Sequence, residues 1–404
     1  MTKLDEFIQE LCPDGVKYLP IPELFITRNG YTPSKANNEF WENGTIPWFR
    51  MEDIRENGRI LTTATQYVSE KAVKGKLFPA DSIIIATSAT IGEHALIKVP
   101  SLANQRFTYL TLKDEFKDCV DMMFVFYYCF RLDEYCKSHL NQGNFASVDM
   151  KQFAAFKFPV PPLPVQCEIV RILDNFTELT AELTAELTAR KQQYAYYRDK
   201  LLSTNNSSVP VVELRDIVKK SCSGATPAKG NAEYYENGTI PWIRTQDVRF
   251  NEITEVNSYI TEKAVSETAT KWIPENCVIV AISGATAGRC AINKIKATTN
   301  QHCLNLIIDD SMALYRYVFH CLCSKYEELI SRKQGARGDL NSSLILSLPI
   351  SIPSLEVQKR LVEVLDNFDA ICTDLNIGLP AEIEARQKQY EYYRDKLLTF
   401  TPAD

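Results

Sequence analysis

The sequence predicts an α+β protein made of two pseudo-symmetric mixed α/β halves, each followed by a long helix, with the two helices paired as an antiparallel coiled coil. Three observations lead there. ENGTIPW at 42–48 returns unchanged at 236–242, YVSEKAV at 67–73 returns as YITEKAV at 259–265, and Asn104-Gln105 returns as Asn300-Gln301. LDNF stands at 173–176 and again at 365–368, and the block RKQQYAYYRDKLL at 190–202 recurs as RQKQYEYYRDKLL at 386–398. Between LDNF and that block the first copy carries Thr-Ala-Glu-Leu twice, at 180–183 and 184–187, which places apolar residues one helical turn apart.

Each element follows in order. Leu4, Phe7, Ile8 and Leu11 lie on one helical stripe that ends at the turn signal Cys12-Pro13-Asp14-Gly15. Short β-branched and aromatic runs follow, such as 45–49 and 82–86, with a helical stretch at 120–135. FPVPPLP at 158–164 reads as a linker without helix or central strand, because each proline lacks a donor and restrains its predecessor. From Gln166, residues Ile169, Ile172, Phe176, Leu179, Leu183, Leu187, Tyr194, Tyr197 and Leu201 keep helical spacing, with one extra four-residue step of the kind that makes a coiled-coil stutter. STNNSS at 203–208 is a polar break, LPISIP at 348–353 is the second linker, and residues 355–400 form the second helical segment.

LDNF is 17 residues from the basic-aromatic block in the first copy and 21 in the second. Gly378 and Pro380 fall inside that longer spacer and predict a kink or short break, proline being well placed at the start of a new helix. The expected division is therefore 1–157 and 204–347 for the two globular halves, with 158–203 and 348–404 as helical spacers.

Composition sets the class. The chain has 404 residues, 45% hydrophobic and 24% charged, which suits a globular protein of two to three domains. Its twelve cysteines include no Cys-x-x-Cys pair, as expected of scattered reduced thiols in a cytosolic protein. The N-terminus lacks a signal-like apolar stretch and no apolar run reaches about 18 residues, so a soluble, cytoplasmic protein is expected. A net charge of −6 argues against a chain that coats nucleic acid non-specifically, and a local basic groove remains compatible with it.

A duplicated half-plus-helix unit imitates a two-fold homodimer inside one chain. Dimeric DNA readers fix half-site spacing by protein dimensions, so two fused, non-identical readers suit an asymmetric bipartite site with the helix pair as ruler. The TAEL tandem, the two basic-aromatic blocks, the entry FPVPPLPVQCEIVRILDNF and the twofold layout resemble the specificity subunit of type I restriction-modification systems, in the group carrying TAEL repeats. The resemblance covers essentially the whole chain. It implies that each half is a target-recognition domain for double-stranded DNA and that the coiled coil binds two methyltransferase subunits. Those partners hold S-adenosylmethionine and methylate adenine, and a motor-nuclease subunit joins the full complex. The unequal spacers and the Gly378–Pro380 interruption depart from exact helix symmetry.

The residues agree with a non-catalytic role. Neither NPPF nor DPPY, the type of motif that grips an exocyclic adenine amine, occurs, and no Gly-rich phosphate loop ending Gly-Lys-Ser/Thr is present. His94, His139, His302 and His320 show no metal-ligand spacing, so no metal site and no cofactor of the chain's own is expected. Two rivals stay open at this level: a coiled-coil adaptor joining two protein-interaction domains, and a self-sufficient nuclease or methyltransferase.

The repeat itself sorts candidate contacts. Residues common to both halves suit the fold or phosphate grip, and matched but differing residues suit base reading. Arg50 and Arg244 follow the shared tryptophans and suit phosphate, whereas Glu52 suits cytosine and Gln246 suits adenine. Small-residue loops after 83–85 and 278–280 offer Ser88, Thr90, Ser283 and Thr286, with Arg289 beside them; their glycines equally suit tight hairpins. Asn104-Gln105 and Asn300-Gln301 read as architectural, while Arg106 and His302 differ at one matched position. Gln142, Asn144, Lys333, Gln334 and Arg337 belong to Gly-containing loops ahead of the linkers. In the helical blocks Tyr194, Tyr197, Tyr390 and Tyr393 are expected to pack between helices, while Leu173, Phe176, Tyr196, Leu365, Phe368 and Tyr392 are candidates for partner contact.

Overall fold

The computed structural model describes residues 3–141, 146–203, 208–333 and 339–403. The chain forms two compact units, Met1–Glu182 with Glu384–Asp404, and Leu183–Ile383.

In the first unit the strands of the two larger sheets are β1 (Phe25–Asn29), β2 (Ile46–Phe49), β3 (Ile60–Leu61), β4 (Tyr67–Val68), β5 (Ser82–Ala86), β6 (His94–Ile97), β7 (Leu102–Ala103) and β8 (Phe107–Leu112). A five-stranded sheet runs in the order β1-β8-β5-β6-β3, and a three-stranded sheet in the order β4-β2-β7. The run SIIIA is buried throughout because both faces of β5 are covered. Alternate residues divide between the covers. Ile83 and Ile85 join a core with the helix α1 (Met122–Ser138), whereas Ile84 and Ala86 join a second core with Trp48 and Phe49 of the small sheet.

The second unit repeats the pattern with β9 (Val218–Ser223), β10 (Ile240–Ile243), β11 (Glu252–Ile253), β12 (Tyr259–Ile260), β13 (Trp272–Ile273), β14 (Val278–Ala281), β15 (Cys290–Asn293), β16 (Ala297–Thr299) and β17 (Cys303–Ile308). Its large sheet has the equivalent order β9-β17-β14-β15-β11, and its small sheet gains a fourth strand, β12-β10-β16-β13. Parity recurs as well: Val278 and Val280 face the helix α2 (Tyr315–Ser324), and Ile279 and Ala281 face the other core.

The helix α3 (Leu163–Leu201) runs unbroken for 39 residues. The second helical segment is two pieces, α4 (Leu355–Thr373) and α5 (Leu379–Leu397). Asp374 closes α4 by accepting from Asn376 N at 2.7 Å and Ile377 N at 3.2 Å. Gly378 fits because a Cβ there would lie 2.6 Å from the carbonyl oxygens of both Ala370 and Asp374. Pro380 is the second residue of α5, where a missing N–H removes no helical hydrogen bond, so the expected interruption is present. The proline linker needs a correction. Leu163 and Pro164 already belong to α3, since the first helical turn tolerates proline, and Lys157–Pro159 forms a two-stranded ribbon with Tyr18–Pro20.

The helices enter each unit through a repeated glutamine. Buried Gln166 accepts from Asp121 N at 2.8 Å and donates to the carbonyls of Cys119 and Pro161 at 2.8 and 2.6 Å. Buried Gln358 does the same with Leu314 N, Met312 O and Pro353 O at 2.9, 3.1 and 2.8 Å. Each amide satisfies loop groups that would otherwise be buried without partners. Within the first unit the start of α3 meets the end of α5, as the antiparallel reading requires. The Phe176 and Tyr393 rings stack 5.5 Å apart, and Arg131 Nη2 donates to Asp395 O at 2.6 Å. Within the second unit the end of α3 meets α4, with Tyr197 and Phe368 at 6.4 Å.

Candidate nucleic-acid interface

The β2 strand ends at Phe49, and the N–H of the next residue, Arg50, donates to Asp53 Oδ2 at 2.7 Å. Fully buried Asp53 also accepts from Thr65 N at 2.6 Å and Thr65 Oγ1 at 2.9 Å. The guanidinium of Arg50 sits 5.7 Å over the Trp48 ring, donates to Thr65 Oγ1 at 3.1 Å and stands 3.9 Å from Glu52. Arg244 is built alike: its N–H meets Asp247 Oδ2 at 2.8 Å and its guanidinium lies 5.8 Å from the Trp242 ring. Among the described residues no acceptor meets the buried Nε of either arginine.

Backbone hydrogen bonds tie three loops to this point. Asn104 N donates to Phe49 O at 3.0 Å, and Asn104 Oδ1 accepts from Arg106 N at 3.0 Å. Asn300 repeats both, to Ile243 O at 3.0 Å and from His302 N at 3.1 Å. Both asparagines shape the turn that carries the differing residue. The neighbouring hairpin joins it through Thr87 N to Arg106 O, and in the other half through Ile282 N to His302 O, both 2.9 Å. A further segment attaches by Val148 N to Thr87 O at 2.9 Å and by Leu340 N to Ile282 O at 2.8 Å. Arg50, Ser88 and Arg106 therefore gather at one end of the first unit, and Arg244, Ser283 and His302 gather at the matching end of the second.

The remaining candidates fall as follows. Ser88 bridges to Ser147, Thr90 has a buried hydroxyl with no hydrogen-bond partner among the described residues, and Glu52 and Gln246 are exposed. Thr286 O accepts from Arg289 N at 3.0 Å on the return side of the second hairpin. Gly92 is required by a φ of +79° and by Asp133 O, which a Cβ would meet at 2.5 Å; the first loop is thus a tight hairpin as well as a candidate contact. Lys333 is half-buried after the helix Tyr326–Ser331. Gln142, Asn144, Gln334 and Arg337 lie outside the described residues.

Two partner candidates are corrected. Leu173 and Leu365, 0% and 1% exposed, sit in the cores of their units and pack there instead of meeting a partner. Phe176 and Phe368 are half-buried against tyrosines, whereas Tyr196 and Tyr392 are 61% and 62% exposed.

The buried histidines serve packing. His94 Nδ1 lies 2.6 Å from Asp133 Oδ2 between the Phe126 and Phe130 rings, and burial raises the Asp133 carboxyl although His94 and Arg59 oppose it. His320 Nε2 lies 2.7 Å from Asp366 Oδ1, and Arg316 Nε donates to Asp366 Oδ2 at 2.7 Å. Burial alone would raise Asp366, but the His320 and Arg316 hydrogen bonds outweigh it and hold the carboxyl at about 2. Among the described residues, no group of three or more His, Cys, Asp or Glu is placed to hold a metal ion, and no helix is long and apolar enough to cross a membrane.

The second unit also opens a cleft of about 620 Å³ beside Arg244 and His302, lined by Thr226, Lys229, Trp242 and Gln301 among others. Thr226 and Lys229 were not among the sequence candidates. The signal was available: Thr-Pro-x-Lys occurs at 32–35 and 226–229, ten residues ahead of ENGTIPW in both halves.

Two copies of one α+β unit, each presenting the same arginine, turn and hairpin with different side chains at matched points, define a duplicated recognition protein. The chain belongs to the type I restriction-modification DNA specificity family, whose domain matches it twice, at 13–190 and 206–385, so that it is a specificity subunit with two target-recognition domains. It is 41% identical to the specificity subunit of the type I restriction enzyme EcoprrI of Escherichia coli over 379 residues, 90% of each chain. It is 37% identical to the EcoR124I/EcoR124II specificity subunit of Escherichia coli over 276 residues, 65% of this chain and 68% of that one. Among solved structures, a chain described under "Structural basis underlying complex assembly and conformational transition of the type I R-M system" shares its fold with a TM-score of 0.71 at 14% identity, covering 96% of this chain and 98% of that one. The HsdS subunit from Thermoanaerobacter tengcongensis shares it with a TM-score of 0.54 at 14% identity, over 96% of both chains.

Proposed function

We propose that this specificity subunit reads an asymmetric bipartite target in double-stranded DNA, one half-site through residues 1–157 and the other through 204–347. The helical spacers 158–203 and 348–404 set the distance between half-sites and dock two methyltransferase subunits. The chain itself is non-catalytic. Methyl transfer from S-adenosylmethionine belongs to the methyltransferases, cleavage to motor-nuclease subunits, and the complex works in the cytoplasm.

One observation carries the reading: the same arginine, Asn-Gln turn and hairpin gather in both units, while Glu52 against Gln246 and Arg106 against His302 differ at matched points. Shared parts suit backbone grip and differing parts suit two different half-sites. Tyr196 and Tyr392, exposed on equivalent helical blocks, support docking of two equivalent partners.

Sequencing methylated DNA from cells that express the chain with a cognate methyltransferase tests this reading. A bipartite motif is expected, and His302→Arg should alter one half-site only. Deleting residues 184–187 removes about 6 Å of helix, equal to one to two base pairs, and should shorten the gap with both half-sites retained. An unchanged gap would sink the ruler, and a chain that never binds duplex DNA would favour the protein-joining adaptor.

A further inference from the structure

We propose that the repeated Thr-Pro-x-Lys turn and the arginine behind it form, in each half, a sequence-independent seat for one phosphodiester of duplex DNA. The inference rests on the DNA-reading role above and adds residues that role leaves unassigned.

The geometry is clearest in the second unit. Lys229, Arg244, Thr226 and His302 face one cleft of about 620 Å³, and no carboxylate lines it. Its floor is Trp242, whose indole Nε1 donates to Ala225 O at 3.1 Å and so pins the turn to the strand. The Thr226 hydroxyl donates to Gln301 Oε1, which ties the same turn to the Asn-Gln loop. The first unit repeats these ties through Trp48 Nε1 to Tyr31 O at 3.0 Å and Thr32 Oγ1 to Gln105 Oε1 at 2.5 Å.

Charge selects the ligand. Lys71 and Lys263, on neighbouring segments, are neutralised by Glu39 and Glu233 at 2.9 and 2.5 Å. Lys35 and Lys229 are exposed and, among the described residues, have no such partner. A lysine and an arginine left uncompensated around a cleft without acids attract an anion, and the anion that duplex DNA offers everywhere is its phosphate. Both halves carry the same Thr, Lys, Arg and Gln, whereas readers of two different half-sites must differ. Glu52, 3.9 Å from Arg50, partly offsets the first arginine, so the second seat is the stronger.

The test measures affinity of the full chain for a mixed-sequence duplex by fluorescence anisotropy as a function of KCl. Lys229→Gln and Lys35→Gln change exposed side chains, and Lys359→Gln on α4 supplies the baseline. Each seat variant is expected to lower the slope of log affinity against log salt by about 1, and the double variant by about 2. The deficit against wild type should then narrow about fourfold between about 50 and about 200 mM salt, equally on A·T-rich and G·C-rich duplexes. Slopes equal to the Lys359→Gln baseline, with wild-type binding intact, would overturn the seat and leave the DNA-reading role standing. A loss confined to one base composition would overturn it in favour of base contact. Wild-type chain that shows no salt-dependent duplex binding would remove both.

Discussion

Arg50 and Arg244 occupy matched positions over matched tryptophans, yet the two halves support them differently. After Arg50 comes the seven-residue helix Met51–Asn57, and Asp53 is fully buried under three hydrogen bonds. After Arg244 the chain makes a single turn, Thr245–Asp247, and half-buried Asp247 keeps the hook to Arg244 N at 2.8 Å. The two copies thus retain the one backbone bond that aims the arginine and differ in what surrounds it. The spacers differ in the same spirit: α3 is continuous, whereas α4 and α5 are separated by a loop that needs Gly378.

That contrast sets the size of the expected effects. Asp53→Ala strands Arg50 N and Thr65 N and should cost about 3 kcal/mol, whereas Asp247→Ala should cost about 1 kcal/mol. Urea denaturation of the two variants checks this; equal losses would mean that the two hooks are energetically alike. The next effect concerns acid. The folded-state carboxyl of Asp366 titrates at about 2, below its ordinary value near 3.9, so its contribution is present above pH about 4 and is lost as pH falls toward 2. Allowing for solvent screening, that contribution is about 1–2 kcal/mol. Asp366→Asn should therefore flatten the acid limb of a stability-versus-pH curve. Asp133, raised by burial, has the opposite sign, and Asp133→Asn should leave that limb in place. The smallest effect on stability belongs to Tyr196→Ala and Tyr392→Ala, which should shift it by no more than about 0.5 kcal/mol. Both should nonetheless reduce co-purification of a methyltransferase; retention at wild-type level would remove these tyrosines from the docking surface.

Much of the fold was legible because the chain repeats itself. Matched segments such as ENGTIPW located both halves, and three- to four-residue spacing located α3 and the pieces of its counterpart. Candidate contacts were legible where a shared motif led straight to them, as with Arg50 and Arg244. Lys35 and Lys229 sit in a polar turn that has no periodicity to mark it, and only its recurrence in the repeat sets it apart. For Leu173 and Leu365, periodicity marks an apolar stripe without saying what covers it; each unit's own core does.

By itself the sequence determined the duplication, the order of elements and the helix interruption at Gly378 and Pro380, since each depends on nearby residues and on backbone limits set by proline and glycine. Only the tertiary structure decided that the arginine, the Asn-Gln turn and the hairpin share one end of each unit. It also decided that Asp53 lies beneath Arg50 and that the end of α5 packs with the first unit. These outcomes depend on hydrogen bonds and packing between residues far apart in sequence, which local pattern does not encode.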